Sequence, residues 1–353
     1  MTDKNTYPLS VHLVTYNSSL WLPYCLEALR RQTRQDFFLL VIDNGSVDNS
    51  AAWVANFLRT HPELGGRSRL VCNKQNLGFA RAHNQALAWT SSTYVQLVNS
   101  DLVLQDNYLA AMAQRLDNQA EAGAAAGKIL RWNFDPESFH LEALAELPPG
   151  SEIDSVGLGI KKTRQIFELG LNETDKGQYE VPHQVFGVSG AAPMYRRLAL
   201  DQVSVNGEVF DEDFVSYKED VDLAWRLRRG GWSAWYEPKG VAYHDRRLNA
   251  QGNLWQRARK RASWPKVLKV YSLCNHWGVL VKNEGFFNLL RDSWQFVPYE
   301  IGKSLYYILT EPGTFFQSLG RWLKLLPRFL AKRRALKPTR KLKPQAIRAW
   351  FIT

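Results

Sequence analysis

The chain has 353 residues, 45% of them hydrophobic and 22% charged, enough apolar material for one large core or two moderate ones without disulfide staples. Three widely spaced cysteines, Cys25, Cys72 and Cys274, form no C-x-x-C, which argues against a disulfide framework or a structural zinc site and fits a reducing compartment. The net charge of +11 is uneven: Pro312 to Thr353 hold eleven Lys/Arg and no Asp or Glu, so the body is neutral and only the tail is attracted to a polyanion.

The N-terminus lacks the apolar stretch of a signal peptide, and no run of about 18 apolar residues reads as a transmembrane helix. In chain order, "LSVHLVTYN" is a strand and "LPYCLEALRRQT" a helix. "FFLLVIDNG" is a strand and "NSAAWVANFLRTH" a helix. "RLVCNK" is a strand and "GFARAHNQALAWT" a helix. "YVQLVNSDLVL" is a strand and "DNYLAAMAQRLDNQ" a helix. Such alternation predicts right-handed βαβ units, hence an α/β fold with a mostly parallel sheet flanked by helices. From Trp132 to Gln184 the text suggests hairpins and loops. A helix begins near Glu219, and Val241–Tyr243 reads as a short strand. Past Arg246 come aromatic, basic helical segments broken by Pro265, Pro298, Pro312 and Pro327; beyond about Ala331 the chain is expected to fray.

Ligands of parallel sheets bind at the strands' carboxyl ends, and three strands end there in polar clusters, "TYN", "DNGS" and "NSD". Asp43 could accept hydrogen bonds from a base or a ribose; equally, Asp43-Asn44-Gly45 could be turn chemistry, with Ser46 as a helix cap. Asp101 interrupts an apolar run, and a lone carboxylate is costly to bury unless something balances it. At a strand's end it could bind a hard divalent cation; the plainer alternative is a turn cap. Glu219, Asp220 and Asp222 crowd a helix's first turn, where the dipole would favour their ionised forms. With the acids of "FDEDF" they exceed what one helix start needs, and Asp220, with Glu219 beside it, is the candidate general base. His244 emerges at a strand end; an isolated histidine is more often a surface residue than a ligand.

In this order, "VTYNSSLWLPYCLEAL", "VIDNGSVDNS", "NLGFARAHNQAL", "VQLVNSDLVL", "GVSGAAPMYRR", "FDEDFVSYKEDVDLAWRLRRGGW" and "YEPKGVAYH" resemble the family-two glycosyltransferases of GT-A fold, most closely the bacterial rhamnosyltransferase-like branch. The resemblance covers about Val11 to Asp245. It implies a glycosyltransferase domain over residues 8–246; the aromatic and basic text beyond it reads as a helical membrane-associating extension over 247–330 and a basic tail over 331–353. Thr15, Tyr16, Asn17, Asp43, Asn44 and Asn99 would bind the nucleotide. Asp101 and His244 would hold Mg²⁺ or Mn²⁺, with Asn99 standing where the family's D-x-D motif has its first aspartate. Gly187, Ser189 and Gly190 would line the acceptor side, and Asp220, helped by Glu219, would act as base in an inverting transfer. The donor would be a dTDP- or UDP-sugar, rhamnose among the candidates, and the acceptor a glycan or lipid-linked glycan of the cell envelope.

Rival readings are weaker. A nucleotide-dependent oxidoreductase needs G-x-G-x-x-G after the first strand, where this chain has "TYNSSLWL". A nucleic-acid binder would use the basic, aromatic tail, but the neutral body offers no second basic face. A non-catalytic relative that only binds nucleotide-sugar is opposed by the intact "KED" and "NSD". The tail mixes Tyr306, Tyr307, Phe315, Phe316 and Trp322 with cations, the pattern of a helix lying in a membrane interface. It therefore implies a cytoplasmic protein held peripherally on the anionic inner face of the plasma membrane. The alternative is that its aromatics pack on the body and its cations are merely solvated.

Overall fold

The computed structural model describes residues 7–132, 151–245 and 264–352. Strands β1 (Leu9–Thr15), β2 (Phe37–Asp43), β3 (Ser68–Cys72) and β4 (Tyr94–Asn99) are the four read from the sequence. They pair in parallel in the order β3-β2-β1-β4, with Thr15 level with Asp43 and Val14 level with Asn99. That register places the ends of three strands side by side. Helices α1 (Leu22–Arg30), α2 (Ser50–Thr60), the short α3 (Pro62–Gly65), α4 (Phe79–Trp89) and α5 (Tyr108–Asn118) connect them.

The run "YVQLVNSDLVL" is not one strand. It breaks at Ser100-Asp101, and β5 (Leu102–Leu104) leaves β4 to pair with a distant strand, β12 (Ser233–His244). Asp101 thus sits at a corner between two buried segments, its side chain 32% exposed. The run is apolar because each half is buried; the polar pair marks the corner.

Beyond β4 the sheet is mixed. β6 (Ala122–Arg131) carries β7 (Ile153–Ser155) antiparallel on part of its length and β12 in parallel. β11 (Met194–Arg196) runs antiparallel between β4 and β6, and β10 (His183–Val185) edges β12. β6 went unread because "AGAAAGKILR" has neither the alternation nor the branched residues of a strand. Its smallness is a packing requirement: a Cβ on Gly127 would fall 2.1 Å from the Gly240 carbonyl oxygen. β8 (Leu158–Lys161) and β9 (Ile166–Glu168) form the expected hairpin. Helices α6 (Arg197–Val203) and α7 (Glu219–Arg229) follow β11.

Residues 264–352 form α8 (Lys266–Asn283), α9 (Phe286–Arg291), α10 (Ser293–Thr310), α11 (Pro312–Ala335) and α12 (Pro344–Ile347). Pro265 and Pro312 start helices as expected, but α10 and α11 continue through Pro298 and Pro327. The end of the chain does not fray. Arg228 of α7 stacks over Trp350 at 3.8 Å, and β13 (Phe351–Ile352) joins β8 in parallel. A shared core contains Trp225 and Phe214 from the first part of the chain and Cys274, Val279, Phe329 and Phe351 from the last.

Some cations of this region are committed to carboxylates. Lys282 contacts Asp211 at 2.5 Å and Asp222 at 2.9 Å, while Lys332 contacts Asp211 at 2.5 Å, Asp213 at 3.0 Å and Glu208 at 2.9 Å. Arg164 lies fully buried between Glu284 and Asp292, at 2.5 and 2.8 Å. Burial alone would raise the carboxyl of Asp211, but Lys282 and Lys332 hold it well below the usual carboxylate range. The picture of a neutral body with an independent cationic tail is therefore corrected: several tail cations neutralise acids that the body buries.

Candidate active site

Three loops meet at the carboxyl ends of β1, β2 and β4. After β1, Asn17 adopts a left-handed backbone (φ 51°); its N–H donates to Ser46 Oγ and its Oδ1 accepts from the Val47 N–H, both at 2.9 Å. This ties the β1 loop to the β2 loop. Asp43 is buried, its Oδ2 accepting from the Ser46 N–H at 3.0 Å. Its Oδ1, and Thr15 Oγ1 beside it, have no hydrogen-bond partner among the described residues. A buried acceptor left over at a crevice is the opening a ligand N–H or O–H fills. Tyr16 stands 46% exposed next to it, an aromatic face available for stacking.

Asn44 turns inward. Its side chain bonds Asn73, Asn76, the Leu77 N–H and the Gly78 carbonyl, fastening the loop before α4. Asn76, Leu77 and Gly78 open the "NLGFARAHNQAL" motif, to which the sequence reading assigned no role. Gly78 is required in it: its φ is +82°, and a Cβ there would lie 2.7 Å from Val215.

At the β4 corner, His244 from the end of β12 approaches Asp101, Nε2 to Oδ1 at 3.4 Å. Its Nδ1 lies 2.9 Å from Asp154 Oδ2, a contact between buried side chains. A carboxylate behind one ring nitrogen, fixing which nitrogen faces outward, is the arrangement that supports histidine ligands of metals. Burial acts to lower the His244 pKa, yet Asp101 and Asp154 outweigh it and raise it to about 9. Asp245 accepts a 2.8 Å bond from the Trp21 indole, and its N–H bonds the Asp101 carbonyl at 3.1 Å. Asp154 and Asp245 were missed: Asp154 is an isolated acid in a hairpin region with no spacing signal, and only the β6–β7 pairing brings it under His244.

Among the described residues no three His, Cys, Asp or Glu side chains form a ready-made metal cage. Asp101 with His244 nevertheless fits a hard divalent ion. Such ions retain several waters and take one or two protein ligands plus phosphate oxygens in nucleotide sites.

The acid pair lies on the other side of the 187–193 loop. The Asn99 N–H bonds the Ala191 carbonyl at 3.0 Å, and the Gly190 N–H donates to Asp220 Oδ2 at 3.2 Å. Asp220, partly exposed, therefore joins the β4 corner through one short loop. A Cβ on Gly190 would find 3.5 Å of clearance to Asp220, whereas one on Gly187 would lie 2.3 Å from Ala224 Cβ. Gly187 is thus small so that α7 can pack, and Gly190 is the position next to Asp220. Ser189 Oγ bonds Glu168 at 3.2 Å, which also accepts from Ser155 at 2.5 Å.

Glu219 departs from the dipole argument. It is buried with Oε2 unpartnered among the described residues, and burial, then the neighbouring Asp220, push its pKa up to about 8. Desolvation outweighs the helix terminus, so Glu219 is largely protonated at pH 7. The other acids of this stretch, Asp211, Glu212, Asp213 and Asp222, are held in ion pairs with Lys282, Lys332, Arg81, Arg226 and Arg328. Their excess over the needs of a helix start is thereby explained, and Asp220 is the carboxylate left facing the crevice loop.

A curled, mixed sheet flanked by helices, with polar loops at the strand ends, is the GT-A arrangement of nucleotide-sugar enzymes. The family model described as glycosyl transferase family 2 matches residues 10–203, more than half the chain, and the chain belongs to that family. Among curated relatives, the N-acetylglucosaminyl-diphospho-decaprenol L-rhamnosyltransferase of Mycobacterium tuberculosis is 27% identical over 252 residues, 67% of this chain and 76% of that protein. Glycosyltransferase GlyG of Streptococcus pneumoniae is 24% identical over 132 residues, 37% of this chain and 42% of GlyG. The poly-beta-1,6-N-acetyl-D-glucosamine synthase of Staphylococcus epidermidis is 22% identical, with 67% of this chain and 49% of the synthase covered. The chain thus spans less than half the length of two of these relatives. Solved structures share the fold. GalNAc-T7 with UDP, GalNAc and Mn²⁺ has a TM-score of 0.59 at 12% identity, over 93% of this chain and 55% of that one. S. aureus TarS 1–349 with UDP-GlcNAc has a TM-score of 0.52 at 16% identity, over 94% and 86%.

Proposed function

We propose that the protein transfers a sugar from a nucleotide diphosphate donor to a hydroxyl of a glycan or lipid-linked glycan, with inversion at the anomeric carbon, in the synthesis of a cell-surface polysaccharide. The observation that carries this reading is the pairing of the Asp101–His244–Asp154 chain with Asp220 across the 187–193 loop. The rhamnosyltransferase relative supports a lipid-diphosphate acceptor and a deoxysugar donor.

In this reading Asp43 Oδ1 accepts from the base or ribose and Tyr16 stacks on the base. Asn99 hydrogen-bonds ribose or phosphate. Asp101 and His244 hold Mg²⁺ or Mn²⁺, which when bound neutralises charge on the departing diphosphate. Asp220 takes the proton of the acceptor hydroxyl, whose oxygen attacks the face of the sugar opposite the nucleotide. Gly190 leaves room for the acceptor and its N–H orients the Asp220 carboxylate. Burial raises the pKa of Glu219, which lowers the negative charge it places beside Asp220.

The test is a screen of dTDP- and UDP-sugars by thermal shift with and without Mn²⁺, followed by turnover of two variants. Asp220→Asn is expected to lose turnover by about a hundredfold or more with donor affinity within a few-fold. Asp101→Asn is expected to lose the Mn²⁺-dependent part of donor binding. Full turnover by Asp220→Asn would move the base elsewhere, and unchanged metal-linked binding by Asp101→Asn would make that carboxylate structural.

A further inference from the structure

We propose that the outer face of α9 and α10 docks the protein on an anionic lipid surface. Three of the five aromatics that the sequence pointed to are turned inward: Tyr307 is buried, and Phe315 and Trp322 pack on Trp277 at ring distances of 6.0 Å, while Tyr306 and Phe316 stay exposed. The exposed apolar surface lies earlier. Phe286 and Phe287 project from α9, and Trp294, Ile301, Leu305 and Leu309 from α10, with Trp294 71% and Leu309 80% exposed. At 100° per residue, positions 294, 301, 305 and 309 fall within one arc of about 80° on α10. The opposite side of α10 is committed to the protein: Glu300 pairs with His276 and Lys303, and Tyr307 is buried. No described helix is long and apolar enough to cross a membrane, so this face has the form of an interfacial helix.

The charge around it selects the occupant. Glu284 and Asp292 are held by Arg164, Glu300 by His276 and Lys303, and Glu311 by Lys269. No Asp or Glu follows Glu311. Arg291, beside the α9 phenylalanines, is exposed with no carboxylate partner among the described residues. Among the described residues this face is thus apolar, carries the unpaired cation Arg291 at its edge, and has no unpaired carboxylate on or between α9, α10 and α11. In a two-fold dimer through this face each copy meets the same surface, which offers Arg291 no unpaired carboxylate among the described residues. An anionic leaflet satisfies both the apolar stripe and the cation at its edge.

This inference is independent of the catalytic reading, because its test measures partition and not turnover. The full-length chain is mixed with phosphatidylglycerol/phosphatidylcholine vesicles at low and high salt and sedimented. The parent is expected to pellet at low salt and to be released at high salt. Trp294→Glu/Leu305→Glu, at exposed positions, is expected to bind roughly tenfold more weakly with an unchanged melting temperature. Leu198→Glu, exposed on α6, is expected to bind like the parent. A parent that stays in the supernatant at low salt overturns the proposal, as does a double variant that pellets like the parent. A parent dimer that the double substitution dissociates overturns it too, since the face would then be a self-interface.

Discussion

Two adjacent carboxyls in one helical turn, Glu219 and Asp220, have different environments and therefore different roles. Asp220 is partly exposed and bonded to the Gly190 N–H, while Glu219 is buried without a partner on Oε2. Because the folded-state pKa of Glu219 is raised to about 8, the native state binds a proton that the unfolded chain releases near its ordinary carboxylate value. Its contribution is fully present below the unfolded pKa and is lost as pH rises through about 8. Glu219→Gln keeps the shape and removes that titration. The variant's melting temperature is expected to exceed the parent's by a margin that widens by a few degrees from pH 5 to pH 8, as differential scanning fluorimetry would register. A constant margin across that range would mean that Glu219 is ionised in the folded protein.

At the scale of elements, the loop 214–218 that delivers α7 is strained. Val215, Tyr217 and Lys218 all have φ between 65° and 72°, a region costly for residues with a Cβ and most of all for a branched one. The loop is held from outside by Asn275 of α8. Its fully buried side-chain amide donates to the carbonyls of Phe214, Ser216 and Tyr217 at 2.9, 2.9 and 2.8 Å. Asn275 reaches no reacting group; it positions the turn that presents Glu219 and Asp220. Asn275→Leu is expected to lower kcat about tenfold or more with donor KM nearly unchanged, because misplacement of the base affects the transition state and not donor binding. Steady-state kinetics check this, and a change confined to KM would assign the loop to donor binding instead.

At the scale of the whole molecule, the catalytic-domain segment and the C-terminal helices depend on one another. Residues up to Asp245 contribute Asp211, Asp213 and Asp222, all buried, and the helices supply Lys282, Lys332 and Arg328. Removing one partner of a buried pair leaves an uncompensated charge. Lys282→Met is expected to cost about 3–5 kcal/mol in urea unfolding. A chain ended after Asp245 is expected to lack a cooperative transition. If that truncated chain unfolds cooperatively, the helices are an appendage and the ion pairs are incidental. For the same reason, membrane binding is tested better by surface substitutions than by truncation.

Strands β1 to β4 and helices α1, α2, α4 and α5 were legible because their signals are local: apolar runs ending in polar clusters, and helical spacing between them; the break that makes β5 a separate strand was not. The ordered motifs pointed to the family and to Asp43, Asp101, Asp220 and His244, since each sits at an element boundary where polar residues interrupt an apolar pattern. Tertiary structure decided the rest, because burial and pairing are properties of distant segments. β6 is a strand only because Gly127 lets Gly240 and Tyr108 approach, and Asp154 supports His244 only through the β6–β7 pairing. Glu219 holds its proton because of burial, a quantity that no spacing rule reports. The tail read as free charge, since composition counts cations without their partners; the fold turned Lys332 and Arg328 toward buried acids and left the apolar face of α10 outside.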